Sequence, residues 1–168
     1  MDVRLATADD VEGIRAIYNH EVLTGTATFD LRPRSSEEQR AWLLDRSGAH
    51  AVVVATSGPV VLGFGSLSVY RDRPAYRTSV EDSVYVAPDH QGRGVGRAVL
   101  EALVEAATER GFHTMLGRIT AGNEASVRLH ERCGFELVGV EREVGRKFRR
   151  WLDVVVVQRI LAERPGPE

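Results

Sequence analysis

Thiol chemistry has almost no foothold in this chain. Its 168 residues include a single cysteine, Cys133, which excludes an intrachain disulfide and any zinc cluster built on thiolates. Such a composition suits a reducing compartment, and the expectation is a cytoplasmic protein. Charge of one sign is lacking too. Lys+Arg number 22 and Asp+Glu 24, a formal net charge of -2, so no broad cationic field draws in nucleic acid or a membrane surface. Long hydrophobic runs are missing. The longest run of branched aliphatic residues, Val154 to Val157, is strand-sized, against roughly 20 apolar residues for a bilayer span. The start, Met1-Asp2-Val3-Arg4-Leu5, lacks the apolar core of a signal peptide. No internal repeat, linker or low-complexity segment is visible. What remains is 43% hydrophobic and 27% charged, ordinary for a globular protein. The length fits one domain over residues 1–162 with a flexible tail over 163–168.

Periodicity gives the order of elements. Val3 to Ala6 alternates as a strand, and Thr7 caps a helix carrying Val11, Ile14, Ile17, Tyr18 and Val22 on one face, with Gly25 as its stop. Ser35 and Glu38 form a capping-box pattern before a second helix. Ala51 to Ala55, Val60 to Val69 and Val80 to Val86 read as strands, the first two joined across Ser57-Gly58-Pro59. A glycine-rich turn opens a long helix that ends at Gly111, His113 to Ile119 is a strand, and Asn123 caps a helix to about Cys133. Glu136 to Val144 and Phe148 to Leu161 close the chain as paired strands. The order β-α-α-β-β-β-α-β-α-β-β predicts an α/β fold, a mixed, mostly antiparallel sheet with helices on both faces.

The segment that carries chemistry is Val84-Tyr85-Val86-Ala87-Pro88-Asp89-His90-Gln91-Gly92-Arg93-Gly94-Val95-Gly96-Arg97-Ala98. It reads as strand, turn, three alternate glycines, helix. Glycines admit φ > 0 and close backbone approach to a ligand. The helix start behind them offers free N–H groups and a positive dipole end, which together suit a phosphate. Arg93 and Arg97 add cationic donors. A nucleotide P-loop would need Lys-Ser or Lys-Thr after the last glycine, where Arg97-Ala98 stands. A dinucleotide site would need G-x-G-x-x-G after the first strand. Glycines alone would also serve a flexible turn.

Gln91 to Gly96 resembles the pyrophosphate loop of the GNAT superfamily of N-acetyltransferases. Asn123-Glu124-Ala125-Ser126, Leu129-His130-Glu131 and Cys133-Gly134-Phe135 resemble that superfamily's following helix. Ile17-Tyr18-Asn19, Ala27-Thr28-Phe29, Arg73 to Tyr76, Val80 to Val86 and Val144 to Val154 are similar to the phosphinothricin and methionine sulfoximine acetyltransferase group. The resemblance covers nearly the whole chain.

This resemblance implies acetyl-CoA as co-substrate, no metal, and a small-molecule amine as acceptor. Gln91, Gly92, Arg93, Gly94, Val95, Gly96 and Arg97 would hold the pyrophosphate. The backbone of Val84, Tyr85 and Val86 would pair with the pantetheine arm and offer an oxyanion donor, and Asn123 and Ser126 would contact the cofactor as well as cap their helix. Tyr85 is placed on the cofactor side of the sheet. Glu81 is the expected general base, with Asp82 on the opposite strand face the weaker candidate. His130 takes the place of a tyrosine that protonates the departing thiolate, or else fills a structural hydrogen-bond role. Arg73, with Arg71 second, would grip a substrate carboxylate, and Phe29 and Tyr76 would line the acceptor pocket. The basic-aromatic stretch Arg146 to Trp151 falls at the group's substrate entrance and subunit contact, which implies a homodimer. A CoA-binding sensor without catalysis, or an enzyme acting on protein N-termini or other amines, are the rival readings.

Overall fold

The computed structural model describes residues 1–46 and 48–161; the expected tail over 163–168 lies outside them. The elements are β1 (Asp2–Leu5), α1 (Val11–Thr24), α2 (Ser36–Asp45), β2 (Val52–Ser57), β3 (Val60–Val69), β4 (Ser79–Val86), α3 (Val95–Glu109), β5 (Thr114–Thr120), α4 (Glu124–Arg132), β6 (Glu136–Lys147) and β7 (Arg150–Ile160). This is the predicted order. The strands form one seven-stranded sheet, β1-β2-β3-β4-β5-β7-β6. Every pairing is antiparallel except β4 with β5.

The caps read from the sequence operate in part as expected. Ser35 and Glu38 exchange both capping-box bonds. Thr7 caps a short 3-10 turn, Ala8–Asp10, that feeds α1. The closing hairpin is longer than expected on its first side: β6 runs to Lys147, and Phe148 and Arg149 make the turn with φ of 50° and 63°.

Two apolar layers sandwich the sheet. On one face, Ile14, Ile17, Tyr18 and Val22 of α1 pack on Val52, Val54 and Phe64, with Trp42 and Leu43 of α2 beside them. On the other, α3 buries Val99, Leu100 and Leu103 completely. Each such side chain stabilises the fold by about 1.5–3 kcal/mol. A Cβ at Gly65 would stand 2.7 Å from Leu103 and 2.8 Å from Val99, so the glycine lets α3 lie close on β3. That contact fixes the start of α3 beside the end of β4.

Candidate active site

β4 and β5 run side by side only from Ser79↔Thr114 to Asp82↔Gly117. Beyond that pair, β4 stays with β3 through Val86 and β5 stays with β7 through Thr120. The two strands therefore part. The β5-facing backbone of 83–86 is left without a strand partner, although backbone groups of a sheet ordinarily find one. A polar chain laid in this notch would meet the missing partners.

The glycine turn stands at the open end of the notch. Gly92 and Gly94 have φ of 71° and 82°, and a Cβ on either would meet no protein atom within 4 Å. Only glycine takes this left-handed region without strain. Gly94 is the N-cap of α3, and Ala98 N–H donates to its carbonyl to close the first turn. The N–H groups ahead of that turn have no intrahelical acceptor and suit an anion. Gly96 differs from its neighbours. It lies inside the helix, where a Cβ would come 3.2 Å from Leu129 Cδ2 and 3.4 Å from Val86 Cγ2, so its role is close packing. The side chain of Val95 is buried in the core, leaving only its backbone for a ligand. Arg97 is tied to Glu101 at 2.7 Å, whereas the Arg93 side chain is exposed and bonds to no described residue.

Glu81 and Asp82 point to opposite faces at the vertex, as strand alternation requires. Glu81 is half-buried on the α1 and α2 side. Burial raises its pKa; the nearby Arg118 guanidinium opposes this, and the Asp82 and Glu141 charges reinforce it. Arg118 was not evident as a site residue from the sequence. The β4–β5 register puts it on Glu81's face, and it donates a hydrogen bond to Glu141 of β6. Phe29 reaches the same face: its ring lies where a Cβ of Gly145 would be. The segment before it is pinned by Lys147, whose ammonium donates to Thr28 O at 2.8 Å. Lys147 is 3% exposed, so it belongs to the interior rather than to a solvated basic patch. Tyr85 also differs from expectation. Its ring stacks on Phe64 and meets Tyr18 edge-on, on the face opposite α3. The Arg71 guanidinium lies over Tyr70 and Tyr76, while Arg73 is exposed and bonds through its side chain to no described residue.

Asp82 faces α3 and α4, and its partner is His130. The imidazole Nε2 is 3.0 Å from Asp82 Oδ2 and Nδ1 is 2.7 Å from the Ser126 carbonyl. A carbonyl only accepts, so Nδ1 carries a proton, and a proton must also lie between Nε2 and the carboxylate. Burial alone would lower the pKa of His130, but the hydrogen bond and charge of Asp82, with the Ser126 carbonyl, raise it. With both nitrogens engaged, the ring has no N–H left for a thiolate. The expectation of His130 as the acid gives way here to the structural alternative. Asn123 caps α4 by accepting from Ser126 N–H at 3.2 Å. Cys133 is buried and its thiol pKa is raised by that burial, as expected of a packing residue. Among the described residues, no group of three or more His, Cys, Asp or Glu could hold a metal ion, and no helix is long and apolar enough to cross a membrane.

The fold thus brings a split parallel pair, an anion-suited helix start at its mouth and a carboxylate at its vertex to one end of the sheet. Residues 14–135 match the Acetyltransferase (GNAT) family. The chain is 42% identical over 165 residues to a phosphinothricin N-acetyltransferase of Streptomyces coelicolor, covering 96% of each chain. It is 40% identical to an L-methionine sulfoximine/L-methionine sulfone acetyltransferase of Pseudomonas paraeruginosa, covering 93% of this chain and 92% of the relative. A phosphinothricin acetyltransferase from Sinorhizobium meliloti, solved in complex with acetyl-CoA, superimposes with a TM-score of 0.92 at 37% identity, covering 99% of this chain and 91% of that one. A ribosomal-protein-alanine N-acetyltransferase from Brucella melitensis superimposes with a TM-score of 0.94 at 39% identity, over 96% of this chain and 100% of that one. The chain belongs to the GNAT family of acetyltransferases, and its acetyl donor is acetyl-CoA.

Proposed function

We propose that this enzyme acetylates the α-amine of a small amino acid or amino-acid analogue of the phosphinothricin and methionine sulfoximine type, by direct transfer in a ternary complex. The observation that carries the reading is the position of Glu81, half-buried at the vertex of the notch with a raised pKa. Bound acetyl-CoA supplies an activated acetyl thioester. The loop Gln91 to Gly96 holds the pyrophosphate, with Arg93 as the free guanidinium. The unpartnered backbone of Val84, Tyr85 and Val86 receives the pantetheine arm and presents an N–H to the thioester oxygen. Glu81 removes a proton from the acceptor ammonium, and the freed amine attacks the thioester carbonyl. The tetrahedral adduct breaks its C–S bond, so the nitrogen keeps the acetyl group and gives up its remaining excess proton, and CoA leaves as a thiolate that takes up that proton through solvent. Arg73 and Arg71, in the loop that precedes β4, take the acceptor carboxylate, and Phe29 and Tyr76 wall the pocket. The amine arrives on the Glu81 face and the donor on the α3 face, so the gap between β4 and β5 joins them.

The enzyme is read as a cytoplasmic homodimer, without nucleic-acid or membrane partners. Support for the dimer is the apolar surface of the last hairpin, where Val144, Phe148 and Trp151 are all exposed.

The test is thiol release from acetyl-CoA with a panel of amino acids, phosphinothricin, methionine sulfoximine and their amides, beside a peptide beginning with alanine. Turnover on free amino acids supports the proposal. Turnover on the peptide alone would replace it with protein N-terminal acetylation, a reading favoured by the likeness to the Brucella enzyme.

A further inference from the structure

Helix α4 forms one wall of the notch, yet it has little to hold it there. Of its nine residues only His130 is fully buried. Val127 and Leu129 pack partly against the core, Ser126 is half-buried, and the other five residues are exposed. An amphipathic surface helix ordinarily anchors through an apolar stripe several residues wide. Here the deepest anchor is an imidazole.

That imidazole lands on the vertex itself. Asp82 and Gly117 are the last paired residues before β4 and β5 part. The His130 ring bonds to Asp82, and a Cβ at Gly117 would stand 2.9 Å from its Cδ2 and 3.0 Å from its Nε2. The ring fits this spot because residue 117 is glycine. The side chains of His130 and Asp82 are 4% and 1% exposed. Asp82 Oδ1 is buried and has no hydrogen-bond partner, so among the described residues the carboxylate depends on His130 alone. Next to His130, Leu129 lies against Gly96, where a Cβ would stand 3.2 Å from its Cδ2. The start of α4 carries Asn123 and Ser126, and the Ser126 carbonyl holds the other nitrogen of the ring.

We infer that Asp82, acting through His130, is a positioning residue for acetyl-CoA: the buried pair pins α4 to the point where the strands part, and so sets the width of the cofactor notch. Because Leu129 packs at Gly96, in the first turn of α3 behind the glycine loop, a shift of the ring disturbs that helix start as well as the α4 start. Misplacement of a bound group by about 1 Å is enough to cost large factors in binding and rate. The inference rests on the acetyl-CoA reading of the notch and is independent of which amine is used.

The experiment uses the full chain. Acetyl-CoA affinity is measured by calorimetry for wild type, Asp82→Asn, His130→Gln, the double variant and Gly117→Ala, alongside KM for both substrates and kcat. Asp82→Asn keeps the shape and removes the charge. Gly117→Ala pushes the ring aside and removes no charge, which keeps the idea testable if the first variant fails to fold. The expected result is a loss of roughly tenfold or more in acetyl-CoA affinity for each single variant. The amine KM should stay within about twofold, and the double variant should be no weaker than the worse single one, as for residues that act as one unit. Unchanged affinity in Asp82→Asn and Gly117→Ala would overturn the inference, as would losses that multiply in the double variant. Failure of wild type to bind acetyl-CoA would instead overturn the reading of the notch.

Discussion

Glu81 and Arg118 share one face of the sheet on neighbouring parallel strands, and the guanidinium is tethered to Glu141 on the far side. The cation therefore limits a pKa that burial raises. If Glu81 is the base, turnover should rise with pH as its carboxyl ionises, above the ordinary carboxylate range. Arg118→Met removes the stabilising charge, so the acidic limb of the kcat/KM profile should move to higher pH. Glu81→Gln should cost roughly 10²-fold or more in kcat at neutral pH. The deficit should shrink in alkali, where free amine is present without a base. Stopped-time thiol-release assays across pH check both; a turnover within twofold of wild type for Glu81→Gln would remove it from the mechanism.

Gly94 caps α3 with φ of 82°. A valine there places a branched Cβ in a conformation costing roughly 1–3 kcal/mol, and nothing in the protein blocks the side chain itself. Gly94→Val should therefore remain folded by circular dichroism. Its acetyl-CoA affinity should fall at least about tenfold, equivalent to 1.4 kcal/mol, as the loop changes shape.

The Arg73 side chain bonds to no described residue and is free to take a ligand. Wild type should prefer methionine sulfoximine to its amide by roughly 30-fold, the lower end of what a lost charge pair costs. In Arg73→Ala the preference should largely vanish, with acetyl-CoA KM unchanged. Equal use of acid and amide by wild type would point to a simple amine or a peptide N-terminus.

Lys147 joins β6 to the segment that carries Phe29, donating to Thr28 O at 2.8 Å and reaching Glu21 O at 3.4 Å. Lys147→Met keeps the length and leaves a buried carbonyl unsatisfied, a cost of about 1–3 kcal/mol. The amine KM should rise several-fold through loss of Phe29's position, while acetyl-CoA affinity stays constant. Equal effects on both substrates would mean a general loss of packing.

Trp151 is 61% exposed, with the Arg146 guanidinium over its ring. Aromatic and arginine side chains of this kind are enriched in protein interfaces. Sedimentation at micromolar concentration should show a dimer for wild type and a monomer for Trp151→Asp. A monomeric wild type would dismiss the dimer.

Local signals carried far in this chain. Period-two and helical patterns gave every strand and helix in order, because each element has a face that must be buried. The Ser35 and Asn123 caps were legible because capping is a bond between near neighbours in sequence. The glycine turn was legible for a similar reason: its chemistry lies in consecutive backbone groups. In the sequence Lys147 is one more cation of the Arg146 to Trp151 stretch; its buried role was not legible because its acceptors, Glu21 and Thr28, lie more than a hundred residues away.

By itself, the sequence determined the element order, the glycine-capped start of α3 and the opposed directions of Glu81 and Asp82, all properties of residues adjacent along the chain. Only the tertiary structure decided what each faces. Pairing β4 in parallel with β5 as far as Gly117, and no further, made the notch. It also brought Arg118 to the side of Glu81 and gave Asp82 a histidine from a helix 48 residues away. Register and burial are set by the packing of whole elements, and a charge acquires its partner, and its pKa, only when that packing has removed water from both.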